Sequence, residues 1–165
     1  MYSTSQLIAG ITNEFNTLKH LGSKVTEANH AHKLTDPQRT IQELEHYIIS
    51  SLPAQIMMMV GWVQNNDAYM QYVGQFSDFS YDQFGEELDK ALQIISDELL
   101  SLTESQWSQE ISIWGRNGLR SMFLIDYIFA FLGAYKMQLF LQLKDSGLSD
   151  LGTMNLWAGI DAPVK

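Results

Sequence analysis

The chain has 165 residues, 45% hydrophobic and 18% charged, which suits one globular domain, 1–165, with room for a sizeable core. Its formal net charge of −9 argues against a nucleic-acid partner, whose phosphates need a basic surface, and disfavours anionic membranes. Zero cysteines exclude disulfides, thiolate metal sites and a cysteine nucleophile. The opening MYSTSQLIAG shows no basic region before an apolar core, and a cytoplasmic location is expected.

A first helix is predicted from near Ser3–Ser5 to beyond Val25, on the stripe Leu7, Ile8, Ile11, Phe15, Leu18 and Val25. Pro37 disfavours a helical Asp36, so Asn29 to Gln38 reads as a connection. The second helix opens on a capping box, Thr40-Ile41-Gln42-Glu43: the Thr side chain takes an orphan amide and the Glu reaches back. Its core face is Ile41, Leu44, Ile48, Leu52, Ile56 and Met59, and Pro53 should kink it at about Ile49 to Leu52. Met57 to Met59 cannot all face one core. They read as a crowded interior or a subunit contact, with a hydrophobic ligand pocket as the alternative. Gln64 to Phe79 reads as a long connection with room for a short helical turn.

The third helix starts at Ser80-Tyr81-Asp82-Gln83, a second capping box, and carries Phe84, Leu88, Ala91, Leu92, Ile95, Leu99 and Leu102 inward. Glu86, Glu87, Asp89, Asp97 and Glu98 form a solvated acidic face. Thr103 to Asn117, with Trp107, Trp114 and Arg116, reads as a second long connection. It is either a lid or binding loop, or a plug in which both tryptophans close the bundle end. The fourth helix, Leu119 to Ser146, would be about 42 Å long at about 1.5 Å per residue. Leu119, Met122, Phe123, Phe129, Leu132, Leu139 and Leu143 recur along it at helical steps, and Gly147 suits the position after its end. Arg120, Asp126, Lys136, Gln138 and Gln142 interrupt the apolar run, and no basic cluster flanks it, so a membrane span is not expected. The tail, Leu148 to Lys165, is expected to pack back on the bundle. The fold class is therefore all-α, a four-helix bundle, with two long connections that point away from simple up-down-up-down topology.

Little chemistry announces itself. Glu27-x-x-His30 and Glu43-x-x-His46 have the spacing of a di-iron bundle, but the fourth helix contains no Glu. At about 100° per residue, His46 lies about 140° from Ile41, so both pairs read as solvated polar faces. His30 and His32 are expected to be exposed loop histidines. Asp126 stands among Leu124, Ile125, Tyr127 and Ile128 and reads as a buried carboxylate that needs Arg116, Arg120 or a tyrosine as partner.

Three segments carry a resemblance. Arg39-Thr40-Ile41-Gln42-Glu43-Leu44, Gln138-Leu139-Phe140-Leu141-Gln142-Leu143-Lys144 before Gly147, and Asn155-Leu156-Trp157-Ala158-Gly159-Ile160-Asp161 resemble, in this order, motifs of the DinB-like (DNA-damage-inducible, YfiT-type) superfamily. The resemblance spans residues 5 to 161. It implies a four-helix bundle, often a homodimer, that in typical members holds a divalent metal on one histidine of the second helix and two of the fourth. Some relatives transfer or isomerise substrates with small thiols such as bacillithiol or mycothiol. The family name implies no DNA binding.

Carried onto this chain, those ligand positions fall at Tyr47, Phe131 and Tyr135, while Lys136 stands for the motif's Arg. His46 is one residue early, about 100° around the helix from Tyr47. All three imidazoles are absent, and phenols and phenyl rings are poor or impossible ligands, so no metal cofactor is expected. The resemblance then implies a degenerate site filled by aromatics, in a small-molecule-binding or stress-related protein. The alternative is a metal-dependent or thiol-cofactor-dependent transferase or hydrolase. In that case Asp126 would stand near Tyr47 and Tyr135, and Arg116, Lys136 or Trp114 would contact the cofactor. Surplus apolar surface at Met57 to Met59 and Phe129 to Phe140 points to a homodimer.

Overall fold

The computed structural model describes residues 3–63, 65–76 and 78–163. In chain order its elements are α1 (Thr4–Gly22), α2 (Ile41–Val60), α3 (Asn66–Gly74), α4 (Phe84–Ser101), α5 (Glu104–Trp107), β1 (Glu110–Ile113), β2 (Arg116–Leu119) and α6 (Arg120–Asp145). Single helical turns precede α4 at Tyr81–Gln83 and close the tail at Met154–Ala158.

Local sequence sets most helix starts. The Ser3 hydroxyl accepts from the Gln6 amide at 3.2 Å while the Gln6 side chain accepts from the Ser3 amide at 2.9 Å. Thr40 and Glu43 form the same reciprocal pair before α2, at 3.2 and 2.7 Å. Each box satisfies two amides that a helix start leaves without partners. Gly61, at φ 96°, ends α2 in the left-handed conformation.

The four long helices form the predicted bundle. α1 and α2 each pack on both α4 and α6. The consecutive pair α1 and α2 therefore sits across one diagonal, and α4 and α6 across the other. Two of the three bundle connections must cross an end of the bundle, which is why segments 23–40 and 102–119 are long. Ile11, Phe15, Leu44, Ile48, Leu88, Ile95, Leu132 and Leu139 fill the centre with almost no exposure, each worth about 1.5–3 kcal/mol of transfer free energy. The tail packs back on α1, with Leu151 and Leu156 buried and Asp161 paired to Lys24 at 2.7 Å.

Several expectations need correction. α1 ends at Gly22: the chain leaves through tighter bonds, Lys24 to Leu21 at 3.0 Å and Val25 to Gly22 at 2.9 Å, and Val25 is buried from the turn that follows. Pro53 lies within α2 as expected, buried, and the helix runs on to Val60. The Gln64–Phe79 connection holds a nine-residue helix, α3, capped by the Asn65 side chain on the Ala68 amide at 2.9 Å. Gln64 and Ser77 in that connection, and Val164 and Lys165 in the tail, lie outside the described residues.

The Thr103–Asn117 connection is not irregular. It holds α5 and then an antiparallel hairpin with Glu110 opposite Leu119 and Ile113 opposite Arg116. Trp114 and Gly115 make its two-residue turn, at φ 52° and 74°, the sign pattern of a type I′ turn whose twist matches the strands. Phe123, Leu132, Leu139 and Leu143 of α6 are buried as predicted, whereas Leu119, which ends β2, and Met122 and Phe129 of α6 are 42%, 42% and 38% exposed. The inward face centres on Leu124, Ile128 and Phe131 instead. Apolar residues stand on every side of α6, which leaves the phase of its pattern ambiguous. α6 is the one helix among the described residues long and apolar enough to cross a membrane by length and composition, and 33% of its most apolar stretch is buried in the bundle.

Candidate functional site

Tyr47 of α2 meets Phe131 and Tyr135, which stand one turn apart on α6. Ring centroids are 5.0 Å apart for Tyr47–Tyr135, 5.7 Å for Tyr47–Phe131 and 4.5 Å for Phe131–Tyr135. Two more rings extend the group: Tyr127 lies 5.7 Å from Phe131, and Trp114 lies 5.4 Å from Tyr127. Trp114 reaches them because the hairpin runs directly into α6 and its tip folds back over that helix. A bulky residue at φ 52° is uncommon. The left-handed conformation costs about 1–2 kcal/mol, so the fold holds this ring in place against a local preference.

These rings wall a surface cleft of about 450 Å³ between α2, α6 and the hairpin tip, completed by Gln55, Ala130 and Ala134. A second hollow, about 520 Å³, is lined by Pro37, Gln38, Arg39, Tyr135 and Gln138 and shares Tyr135 with the first. The Arg39 guanidinium lies 3.9 Å over the Tyr47 ring, a cation–π contact worth about 0.5–1 kcal/mol at an exposed site. The Arg39 carbonyl accepts from Nε2 of buried Gln142 at 2.7 Å, which ties this segment to α6.

Burial, and then the neighbouring Tyr135 phenol, push the Tyr47 phenol above its ordinary range. Tyr127 is pushed up too, by burial first and the other tyrosines after it. Both are neutral hydrogen-bonding groups at pH 7, not bases. Neither hollow is lined by Asp, Glu or His. The cleft is equipped to bind by stacking and hydrogen bonding, and it holds no nucleophile–base pair.

The donor set does not suit a divalent metal. Phe131 has no lone pair to offer, and neutral phenols are poor ligands. Among the described residues no three His, Asp or Glu side chains converge as a metal site. His46 turns away from the cleft, its Nε2 2.7 Å from the Phe79 carbonyl and its ring on the Phe79 ring, so it is half-buried and not solvated. His30 pairs with Gln42 at 2.9 Å and His32 with Asp145 at 2.8 Å, where free loop histidines are expected.

Other expected contacts fall elsewhere. Asp126 is exposed, with no hydrogen bond or ion pair among the described residues, because its position points to the outer side of α6. Arg120 is the buried charge of that region: its Nε donates to the Met59 carbonyl at 3.0 Å and its Nη1 to the Gln106 carbonyl at 2.8 Å. Arg116 is exposed on the hairpin, 5.6 Å from the Phe123 ring. Lys136 is buried against α1, where it pairs with Glu14 at 2.5 Å under the Trp157 ring. It lies about 100° around α6 from Tyr135 and cannot share its cleft. Trp114 alone of the four joins the aromatic group.

Two residues escape the sequence reading. Arg39 precedes the capping box, a position that sets it at the cleft's end. Glu45 is fully buried with both carboxyl oxygens unpartnered among the described residues, and burial pushes its pKa up to about 9. Its signal is the spacing: four residues after Ile41 and four before Ile49 is the middle of the inward stripe of α2.

The fold is similar to that of a DinB-like protein, YjoA, from Bacillus subtilis, with a TM-score of 0.67 at 18% sequence identity over 89% of this chain and 95% of that one. No protein-family model matches the sequence, and no curated protein does.

Proposed function

We propose that this chain is a DinB-like protein whose metal-ligand positions hold Tyr47, Phe131 and Tyr135, and that the cleft walled by these rings binds a small organic molecule. The observation that carries the reading is the convergence of five aromatic rings on a solvent-facing cleft that offers neither metal donors nor a general base. Likeness of fold to a DinB-like protein supports the first half. The cleft volume of about 450 Å³ supports the second, since ligand sites run from roughly 300 to 1,000 Å³ and are mostly apolar with a few polar groups. Ala130 and Ala134, with side chains of one carbon, leave room on the α6 side of the cleft for a ring.

A panel of small aromatic and thiol compounds, followed by thermal shift and tryptophan fluorescence, tests this. Binding to the native state raises stability by about 2.7 kcal/mol at a hundred times the dissociation constant. At least one compound should raise the melting temperature, and Tyr47→Ala and Trp114→Ala should abolish the effect. Stabilisers that act equally on all three proteins would overturn the reading.

The open cleft keeps a second reading, a transferase or hydrolase of thiol-linked substrates. The Tyr47 and Tyr135 phenols would then act as acids, and Trp114 would be the cofactor contact. Turnover of a thiol adduct that is lost in Tyr47→Phe decides for it.

A further inference from the structure

We infer that the cleft takes an aromatic acid: a planar ring packs along the Tyr47–Tyr127–Trp114 wall, and its anionic group sits on Arg39. This rests on the cleft being a binding site and names the class of molecule it selects.

Four observations converge. First, the two hollows meet at Tyr135, and the Arg39 guanidinium of one lies 3.9 Å over the ring of Tyr47, which lines the other. Second, the chain carries 19 acidic residues against 10 basic ones, yet Arg39 is the sole charged residue among those lining the two hollows. Third, the Arg39 guanidinium is committed only through its face. It lies 3.9 Å over Tyr47, and its side chain makes no ion pair or hydrogen bond among the described residues. The fork of N–H donors around its edge is therefore free for a carboxylate. Glu43, whose carboxylate senses Arg39, is turned back onto the Thr40 amide at 2.7 Å. Fourth, the Arg39 carbonyl is held by fully buried Gln142 at 2.7 Å, so the root of the side chain is anchored to the helix that carries the ring wall.

A charge series on one ring tests the assignment. Naphthoate, naphthalene methanol and naphthylmethylammonium are titrated by calorimetry against the unmodified protein and against Arg39→Met, Arg39→Lys and Trp114→Ala. Arg39 is exposed and Met keeps most of its stem, so folding should survive, as circular dichroism checks. Naphthoate should bind about tenfold or more tightly than the other two, a gap that narrows as salt is added. Arg39→Met should close that gap and leave the alcohol unchanged, Arg39→Lys should restore part of it, and Trp114→Ala should weaken all three. Equal binding of acid and alcohol, still dependent on Trp114, would overturn the acid assignment and leave the cleft standing. Tighter naphthoate binding that ignores Arg39→Met would also overturn it. Failure of all three to bind would overturn the cleft itself.

Discussion

Glu45 ties the stability of this protein to pH. Burial pushes its folded pKa up to about 9, above the ordinary value of 4.5, so between those values the folded state keeps a proton that the unfolded state has released. Stability therefore falls as pH rises from about 4.5 to about 9, by up to about 1.4 kcal/mol per unit from this group, and levels off above. Glu45→Gln should flatten that slope and gain on the parent at pH 8 while matching it at pH 4. Urea unfolding across pH 5 to 9 measures this, and an unchanged slope would place the titration elsewhere. The residue also shows how a pattern hides its exceptions. A list of apolar positions along α2 omits Glu45, yet helical phase puts it at the centre of that list. Asp126 is the reverse case: apolar neighbours in sequence do not bury a residue whose phase points outward.

Between elements, the meeting of α2 and α6 is the feature with most to test. Tyr47, Phe131 and Tyr135 hold ring centroids within 5.7 Å of one another, a spacing that three imidazoles around one ion also need, with nitrogen–metal distances of about 2.0–2.1 Å. Changing all three to His should create a zinc or nickel site of micromolar affinity or better. Stability should drop without metal and recover with it. A folded triple variant whose melting ignores metal would show that the three positions do not correspond to the family's ligands. The start of α2 was legible in the sequence because a capping box is local chemistry, and so was the inward face of α4, where polar and apolar sides separate cleanly. The hairpin was not: its strands are four residues long and its Trp-Gly turn lacks the usual Asn-Gly signature. The aromatic trio came from family resemblance and not from periodicity, while Arg39 and Trp114 join it through connections whose course no pattern reveals.

For the whole molecule, the open question is what covers the outer side of α6. Phe129, Met137 and Leu141 are 38%, 38% and 45% exposed, and Gly133 completes a ridge at steps of four. We propose that this ridge forms a homodimer contact, a role that exposed apolar surface of this kind usually marks. Met57 and Met58 are half-buried in the bundle and contribute less than the sequence suggests. Sedimentation at micromolar concentration should give a dimer, and Met137→Glu with Leu141→Glu should give a monomer; a monomeric parent would count against it. The diagonal placement of consecutive helices has a consequence during synthesis. α1 and α2 do not cover each other, and each waits for α4 and α6. At about 5–20 residues per second, their apolar faces stay bare on the ribosome for several seconds before residue 101 appears. A chain of this design should therefore need more cover during synthesis than a bundle of sequential hairpins does, and residues 1–63 expressed alone should partition to the insoluble fraction rather than fold as a half-bundle.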